Sequence, residues 1–192
     1  MINIKQQQIL TTAFDLFYHR GFHAVGINEI ITQAKVAKKT LYNHFQSKDE
    51  LIIATLEKHH QAIMQQLQKS LALAVPGKDS ILVLFEQLDA WIKGELSTLP
   101  AFNGCYFNQA YAEFSAVNPA ITSLCLSHKK AFHHLFHEQV NVFEKEPSKQ
   151  QLLVDWLILL SEGVLTSAHI SSQKNSAEQA THYIENLLRF KR

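Results

Sequence analysis

The amino-acid sequence predicts an all-α protein, with a three-helix helix-turn-helix head followed by a helical-bundle domain. Glycine and proline are scarce, at six and four of 192 residues, about 5% together, against roughly 12% in average proteins. Folds built from many strands need more turn residues than this. The prolines all lie between segments with helical periodicity, at Pro76, Pro100, Pro119 and Pro147. Apolar and polar residues alternate for only a few positions at a time, which is too short for strands.

The first three predicted helices are short. Residues 7–19 carry a one-sided apolar stripe, and Gly21 follows as a residue suited to a left-handed cap. The next two helices, over residues 27–34 and 37–45, are separated by a tight turn at Lys35-Val36. Together they predict a helix-turn-helix supported by the first helix.

The rest of the chain has the same helical periodicity. A capping box from Ser47 to Glu50 begins a long helix that runs to about Leu73. Periodic apolar positions predict five more helices, over residues 79–97, 102–117, 119–144, 149–172 and 176–190.

The helix predicted over residues 149–172 is apolar on two sides. One stripe consists of Leu152, Trp156 and Leu159, and the other of Leu153, Leu157, Leu160 and Val164. One stripe can face the helix's own bundle, so the other is expected to meet a partner.

Charge is divided unevenly along the chain. The first 48 residues carry six Lys or Arg against two acids, a net +4, whereas the other 144 carry 12 basic and 15 acidic residues, a net −3. No acid occurs between Ile30 and Lys48. This pattern indicates a polyanion-binding module joined to another domain, although a solvated face charged by chance would give the same count.

Other features predict a soluble, cytoplasmic protein with no membrane partner. Two cysteines 20 residues apart cannot form a disulfide framework or a cysteine-based zinc site. The first residues lack the basic-then-apolar pattern of a signal peptide. The longest purely apolar runs have five residues, for example Ile81–Phe85 and Trp156–Leu160, against about 20 for a bilayer span.

The second helix of the predicted helix-turn-helix divides into two faces. Its apolar anchors are Val36, Leu41 and Phe45. Its outward face carries polar groups, which are Lys38, Lys39, Thr40, Tyr42, Asn43 and His44. Lysine attracts phosphates, and Asn or His can hydrogen-bond to base edges, so this face is typical of a DNA-reading helix.

The stretch from Ile9 to Leu51 resembles the TetR family of bacterial transcriptional regulators. The matching residues are Ile9-Leu10, Ala13, Leu16-Phe17, Gly21-Phe22, Ile30, Ala34, Val36, Thr40-Leu41-Tyr42-Asn43-His44-Phe45, Ser47-Lys48 and Leu51. The resemblance implies a DNA-binding domain over residues 1–47 and a ligand-binding and dimerisation domain over 48–192. It also implies a homodimer that binds a pseudo-palindromic, double-stranded DNA operator.

The resemblance assigns DNA contacts residue by residue. Base-edge or groove contacts are expected from Lys38, Lys39, Thr40, Asn43 and His44, and phosphate contacts from Asn28, Tyr42 and Lys48. Three positions depart from the family pattern. Lys35 stands where glycine is usual in the turn, while Gly26 and Ala37 replace the capping residues that usually begin the two helices.

The resemblance implies that a small-molecule effector binds in the second domain. The aromatic residues of that domain favour an organic effector. The candidate lining residues are Trp91, Phe102, Cys105, Tyr106, Gln109, Glu113, His128, Phe132 and Trp156, each equally able to serve in a core. Gly104-Cys105 also resembles a TetR subgroup in which this cysteine senses electrophiles or oxidants, with Lys174 as a candidate activator. An inert thiol is the alternative for Cys105, and Cys125 is expected in the core.

Metal and enzyme hypotheses find less support. His133 and His137 have the i, i+4 spacing of metal ligands, but Lys130, His134 and Asn141 share or adjoin that face and favour a solvated surface. We therefore predict no metal site.

One half of a di-iron signature, Glu57-x-x-His60, has no second copy. No nucleophile–base pair or phosphate loop suggests an enzyme or a cofactor. The resemblance therefore implies a dimeric TetR-type repressor, released from its operator by an organic molecule, electrophile or oxidant. The alternative is a helical-bundle ligand-binding protein or enzyme with a vestigial head.

Overall fold

The computed structural model describes residues 4–189, and all regular secondary structure within that range is helical. The helices are α1 (Ile4–Arg20), α2 (Ile27–Gln33), α3 (Lys38–His44), α4 (Lys48–Leu71), α5 (Lys78–Lys93), α6 (Tyr106–Phe114), α7 (Pro119–Phe143), α8 (Pro147–Ile170) and α9 (Ser176–Arg189). The predicted all-α class is confirmed, with a helix in each predicted place.

Two predicted helix lengths were wrong, and glycine explains the end of one helix and the start of the other. The helix predicted over 79–97 ends at Lys93, because Gly94 adopts a left-handed conformation with φ of 79° and caps it. The helix predicted over 102–117 begins only at Tyr106 and ends at Phe114. Gly104 has φ of +87°, which a right-handed helix cannot include, so Phe102 precedes α6.

The chain forms two compact units. Among the described residues, the first unit comprises those up to Gln61 together with Tyr106–His128, and the second comprises Ala62–Cys105 together with those from Lys129 to Arg189. The helix-turn-helix and all of α6 therefore belong to the first unit. The functional boundary after residue 47 stays a prediction.

In the first unit, α1, α2 and α3 pack against one another. The predicted stripe of α1 is the buried one, since Ile9, Ala13 and Phe17 are fully enclosed. Ile30 of α2 and Leu41 of α3 are enclosed as well. This small core fixes the orientation of α3.

In the second unit, α5 and α8 pack against α9. The two-sided pattern of α8 is confirmed: Leu153, Leu157 and Val164 are buried, whereas Leu152 and Leu159 are 69% and 72% exposed. By length and composition α8 is apolar enough to cross a membrane, although one such helix is weak evidence for a span. Its outer stripe of leucines needs a covering surface of some kind.

Candidate functional site

Helix α3 presents a polar surface on an apolar base. Leu41 is fully buried and Phe45, directly after the helix, is 3% exposed. These two side chains hold α3 against the head, as the sequence predicted. The opposite face of α3 meets solvent.

The eight predicted DNA-contact residues are all reached by solvent. Five of them are exposed, namely Asn28, Lys38, Lys39, Tyr42 and Asn43. Thr40, His44 and Lys48 are half-buried. This exposure is what DNA contact requires, and the contacts themselves stay a prediction.

The turn between α2 and α3 contains a backbone conformation that is strained for a residue other than glycine. Lys35 has φ of 50°, a left-handed conformation that usually favours glycine. Its backbone N–H donates to the Thr32 carbonyl over 3.2 Å, and the Val36 N–H donates to the Ile31 carbonyl over 3.2 Å. The exposed Lys35 thus lies in the turn, three positions before α3 begins.

Neither helix of the motif has a side-chain cap. Gly26 and Ala37 occupy the N-cap positions of α2 and α3 in extended conformations, without a side-chain hydrogen bond. The first N–H groups of both helices therefore lack the acceptor that Ser or Thr supplies. These expected departures from the family pattern are confirmed.

Helix α4 begins with the predicted capping box. The Glu50 N–H donates to Ser47 Oγ over 3.0 Å, and the Gln46 N–H donates to Glu50 Oε2 over 2.6 Å. Lys48 is the first residue of α4, and its Nζ lies 5.9 Å from the centre of the Phe17 ring. Burial lowers the pKa of Lys48, and the negative charges of Glu113 and Asp49 oppose this shift.

The charges around α3 are predominantly positive. The acid-free stretch from Ile30 to Lys48 places exposed lysines at positions 35, 38 and 39. Arg20 forms an ion pair with Glu29, the acid that lies nearest before this stretch. The exposed lysines therefore meet solvent without an acidic residue inside their own segment, as attraction of phosphates requires.

Helix α6 holds the turn that joins α1 to α2. Both oxygens of Glu113 accept backbone hydrogen bonds from this turn, from Phe22 and His23. Gln109 Nε2 donates to the Phe17 carbonyl over 3.4 Å. Sequence reasoning missed these contacts, because the partners are about 90 positions apart.

Four of the predicted effector residues belong to the first unit and have protein partners there. Glu113 and Gln109 contact the head as described above. Tyr106 is 1% exposed, its hydroxyl lies 2.9 Å from that of Thr55, and burial raises its pKa. His128 is 4% exposed and contacts His60. An effector role for these four stays a prediction.

The other five predicted effector residues belong to the second unit. Trp91 donates from Nε1 to the Pro100 carbonyl over 2.8 Å, and its ring meets Phe102 edge-on at 5.1 Å. Phe132 and Trp156 are half-buried. Cys105 is a free, half-buried thiol.

Cys105 has a cationic neighbour that the sequence analysis missed. Lys129 Nζ lies 3.7 Å from Cys105 Sγ and 2.5 Å from Glu162 Oε1. Next to the cysteine, Gly104 leaves room for the His169 ring, because a Cβ on Gly104 would lie 2.6 Å from His169 Nδ1. No local spacing in the sequence relates Lys129 to Cys105, which lies 24 positions earlier in the chain.

Histidine contacts occur at two places on α7. The Nδ1 atoms of His60 and His128 are 2.9 Å apart. The rings of His133 and His137 are 6.5 Å apart and nearly parallel. Among residues 4–189 no group of three or more His, Cys, Asp or Glu side chains converges as metal ligands.

The head also carries the clearest likeness to known proteins. Residues 9–55 match the family model for bacterial regulatory proteins of the tetR family. The match covers most of α1, all of α2 and α3, and the start of α4. By this match, residues 9–55 are a TetR-family helix-turn-helix region.

Two curated relatives are similar to this chain over part of its length. FasR, a transcriptional activator of Mycolicibacterium smegmatis, is 39% identical over 67 residues, which are 35% of this chain and 31% of FasR. NemR, a transcriptional repressor of Escherichia coli, is 32% identical over 83 residues, which are 43% of this chain and 42% of NemR. The chain thus matches less than half the length of either relative.

Solved structures extend the likeness to the whole TetR-family fold. A TetR-family transcriptional regulator from Streptomyces coelicolor superposes with a TM-score of 0.86 and 26% identity, over 96% of this chain and 94% of that one. The reduced form of E. coli NemR superposes with a TM-score of 0.77 and 24% identity, over 95% and 96%. Membership of the Gly-Cys subgroup stays a prediction.

Proposed function

We propose that this protein is a homodimeric, cytoplasmic transcriptional repressor that binds a pseudo-palindromic operator through α3. The observation that carries this proposal is the exposed polar face of α3, held on the buried Leu41 and Phe45 within an acid-free segment. Lys38, Lys39 and Asn43 on that face supply charge for phosphates and an amide for base edges. Repression rather than activation follows NemR, the relative that matches the larger share of this chain, whereas FasR is an activator.

The exposed stripe of α8 supports a dimer. Leu152, Leu159 and Ile170 are 69%, 72% and 77% exposed on a helix whose other face is already packed. A second copy related by a two-fold axis would bury the same stripe on both helices. Such a dimer presents two α3 helices to the two halves of a pseudo-palindrome.

Fluorescence anisotropy tests operator binding. The DNA comes from upstream of the protein's own gene, with excess competitor DNA, at two salt concentrations. The wild-type protein binds saturably and more weakly at high salt, because lysine contacts release counterions from phosphates. Lys39→Ala with Tyr42→Ala abolishes binding, because it removes one exposed charge and one exposed hydroxyl from α3.

Lys130→Ala with Tyr111→Ala is the matched control, since both residues are exposed and lie outside the helix-turn-helix. This control variant retains wild-type affinity. Unchanged affinity in the Lys39/Tyr42 variant would refute the assignment of α3 as the reading helix.

We further propose that Cys105 makes the repressor responsive to electrophiles or oxidants. A reactive thiolate needs a cation nearby and access to solvent. Lys129 lies 3.7 Å from Sγ, and Cys105 is half-buried rather than enclosed. Modification would favour a conformation with lower operator affinity.

Release of the operator by diamide or N-ethylmaleimide tests this switch. Wild-type protein and Cys125→Ser release DNA, whereas Cys105→Ser stays bound. Cys125 is the matched control because it is the second cysteine of the chain and is only 2% exposed. Release that persists in Cys105→Ser rules out Cys105 as the switch while leaving operator binding intact.

A further inference from the structure

His60 of α4 and His128 of α7 contact each other, and each uses its Nδ1 atom. His60 Nδ1 and His128 Nδ1 are 2.9 Å apart, and the rings meet edge-on with their centres 5.2 Å apart. His128 is 4% exposed, whereas His60 is half-buried and reached by solvent. Solvent therefore reaches this pair of imidazoles only through His60.

Phe107 of α6 fixes the more buried ring. The Phe107 and His128 rings stack with their centres 3.5 Å apart and their planes 9° apart. His60 packs edge-on against Phe107 at 6.4 Å. Side chains held in this way lose little freedom on binding a ligand, which favours affinity.

The distance between the two nitrogens suits a shared metal ion. At a metal–nitrogen distance of about 2.0 Å, two ligands at right angles are about 2.8 Å apart, and two tetrahedral ligands about 3.3 Å. The observed 2.9 Å is closer to the right-angled arrangement. Tetragonal nitrogen sites are typical of Cu(II) and Ni(II), whereas Zn(II) prefers the tetrahedron.

We propose that His60 and His128 form a two-histidine site for Cu(II) or Ni(II). In the metal-free pair one ring carries its proton on Nδ1 and donates to the other Nδ1. Metal binding moves that proton to Nε2 of the same ring, so both Nδ1 lone pairs coordinate and no proton is released from a neutral pair. Water or a small anion fills the other coordination positions on the solvent side of His60.

Bound metal would connect α4 to α7 within the first unit. Helix α4 begins at Lys48, four positions after the last residue of α3. A metal that fixes α4 would therefore influence operator binding, and this consequence rests on the proposed function. Metal binding itself does not.

Isothermal titration with NiCl₂ tests the site. Ni(II) is the preferred probe because Cu(II) also oxidises thiols. His133 and His137 are a competing pair on the surface of α7, so every measurement uses the His133→Ala/His137→Ala variant as background. We expect one Ni(II) per chain, bound more tightly than Zn(II), with a metal-dependent increase in the melting temperature.

Addition of His60→Gln to this background weakens Ni(II) binding at least tenfold and removes the increase in melting temperature. His134→Gln, an exposed histidine of the same helix as His128, leaves both unchanged. Circular dichroism without metal verifies that each variant is folded. An unaltered Ni(II) affinity in His60→Gln, or the absence of binding in the background variant, overturns the proposal.

The outcome is separable from that of the proposed function. Failure of Ni(II) binding refutes the metal site even where anisotropy detects operator binding. Failure of operator binding refutes the proposed repressor even where Ni(II) binds stoichiometrically. Zn(II) binding tighter than Ni(II) overturns the assignment of the metal class.

Discussion

Glu113 of α6 accepts a 2.7 Å hydrogen bond from the backbone N–H of His23, which lies 90 positions earlier in the chain. Its other carboxylate oxygen accepts a 2.9 Å hydrogen bond from the Phe22 N–H. His23 Nε2 in turn lies 3.2 Å from the Glu113 carbonyl. One acidic side chain thus anchors the turn between α1 and α2, which makes α6 a structural part of the head.

Removal of this anchor destabilises the head. In Glu113→Ala the two N–H groups lose a charged acceptor, and we expect a loss of about 2 kcal/mol in the free energy of unfolding. For a chain of this size that lowers the melting temperature by roughly 4–8 °C. Thermal denaturation measures the loss, and amide hydrogen exchange at Phe22 and His23 locates it.

Glu138→Ala is the control for Glu113→Ala, because Glu138 is exposed and its ion pair with His134 lies on one helix. It changes stability by less than about 0.5 kcal/mol. Equal amide protection of Phe22 and His23 in Glu113→Ala and wild-type protein would show that the anchor is dispensable.

The sequence correctly predicted those features of the fold that depend on residues close together in the chain. Apolar periodicity located the helices, the Ser47–Glu50 capping box located the start of α4, and the stripes of α8 identified its buried and exposed faces. The start of α6 was missed because a periodic pattern does not reveal the positive φ of Gly104. Local sequence signals therefore predict the positions of helices better than they predict the conformation of the backbone between helices.

The candidate site was harder to predict, because its contacts join distant residues. Lys129 and Cys105 are 24 positions apart, and His60 and His128 are 68 apart. The residue pattern of one helix does not specify which side chains of another helix will contact it. The exposed face of α3, by contrast, follows from the spacing of Leu41 and Phe45 on a single helix.

Replacement of Lys35 by glycine stabilises the protein. The residue has φ of 50°, which is unfavourable for side chains with a Cβ, and glycine adopts this conformation freely. After the entropy of the unfolded glycine is subtracted, we expect a gain of about 0.5–1 kcal/mol. Urea denaturation measures the gain, and a lower affinity for DNA accompanies it because one exposed charge is lost.

Lys130→Gly is the control variant, and we expect it to lower the free energy of unfolding. This exposed residue lies within α7, where glycine costs about 1 kcal/mol. A loss of stability in Lys35→Gly of similar size would mean that the turn does not hold residue 35 in a left-handed conformation.

His59 makes stability depend on pH. Burial lowers its pKa to about 4, with a smaller contribution from His60. Between pH 6.5 and 4 the unfolded chain binds a proton that the folded chain does not, so the free energy of unfolding falls as pH falls. The full loss is about 3 kcal/mol, and denaturation at pH values from 7 to 4.5 measures most of it.

His59→Phe removes this dependence while it preserves the ring contacts with Phe14 and Phe107. Its free energy of unfolding therefore falls less steeply below pH 6.5 than that of wild-type protein. Some slope remains, because burial also lowers the pKa of His60. His134→Phe, at an exposed position, retains the wild-type slope. Identical slopes in wild-type protein and His59→Phe would contradict a neutral, buried His59.

Leu159→Glu dissociates the proposed dimer. Leu159 is 72% exposed within the outer stripe of α8, so a two-fold interface on this stripe would bury its side chain and would have to desolvate an introduced carboxylate. We expect the dimer dissociation constant to rise at least about a hundredfold, and sedimentation velocity detects the change from twice 21.9 kDa to 21.9 kDa. Leu73→Glu is the matched control, since Leu73 is 88% exposed after α4 and outside the stripe. A Leu159→Glu protein that sediments as a dimer would place the interface elsewhere on the chain.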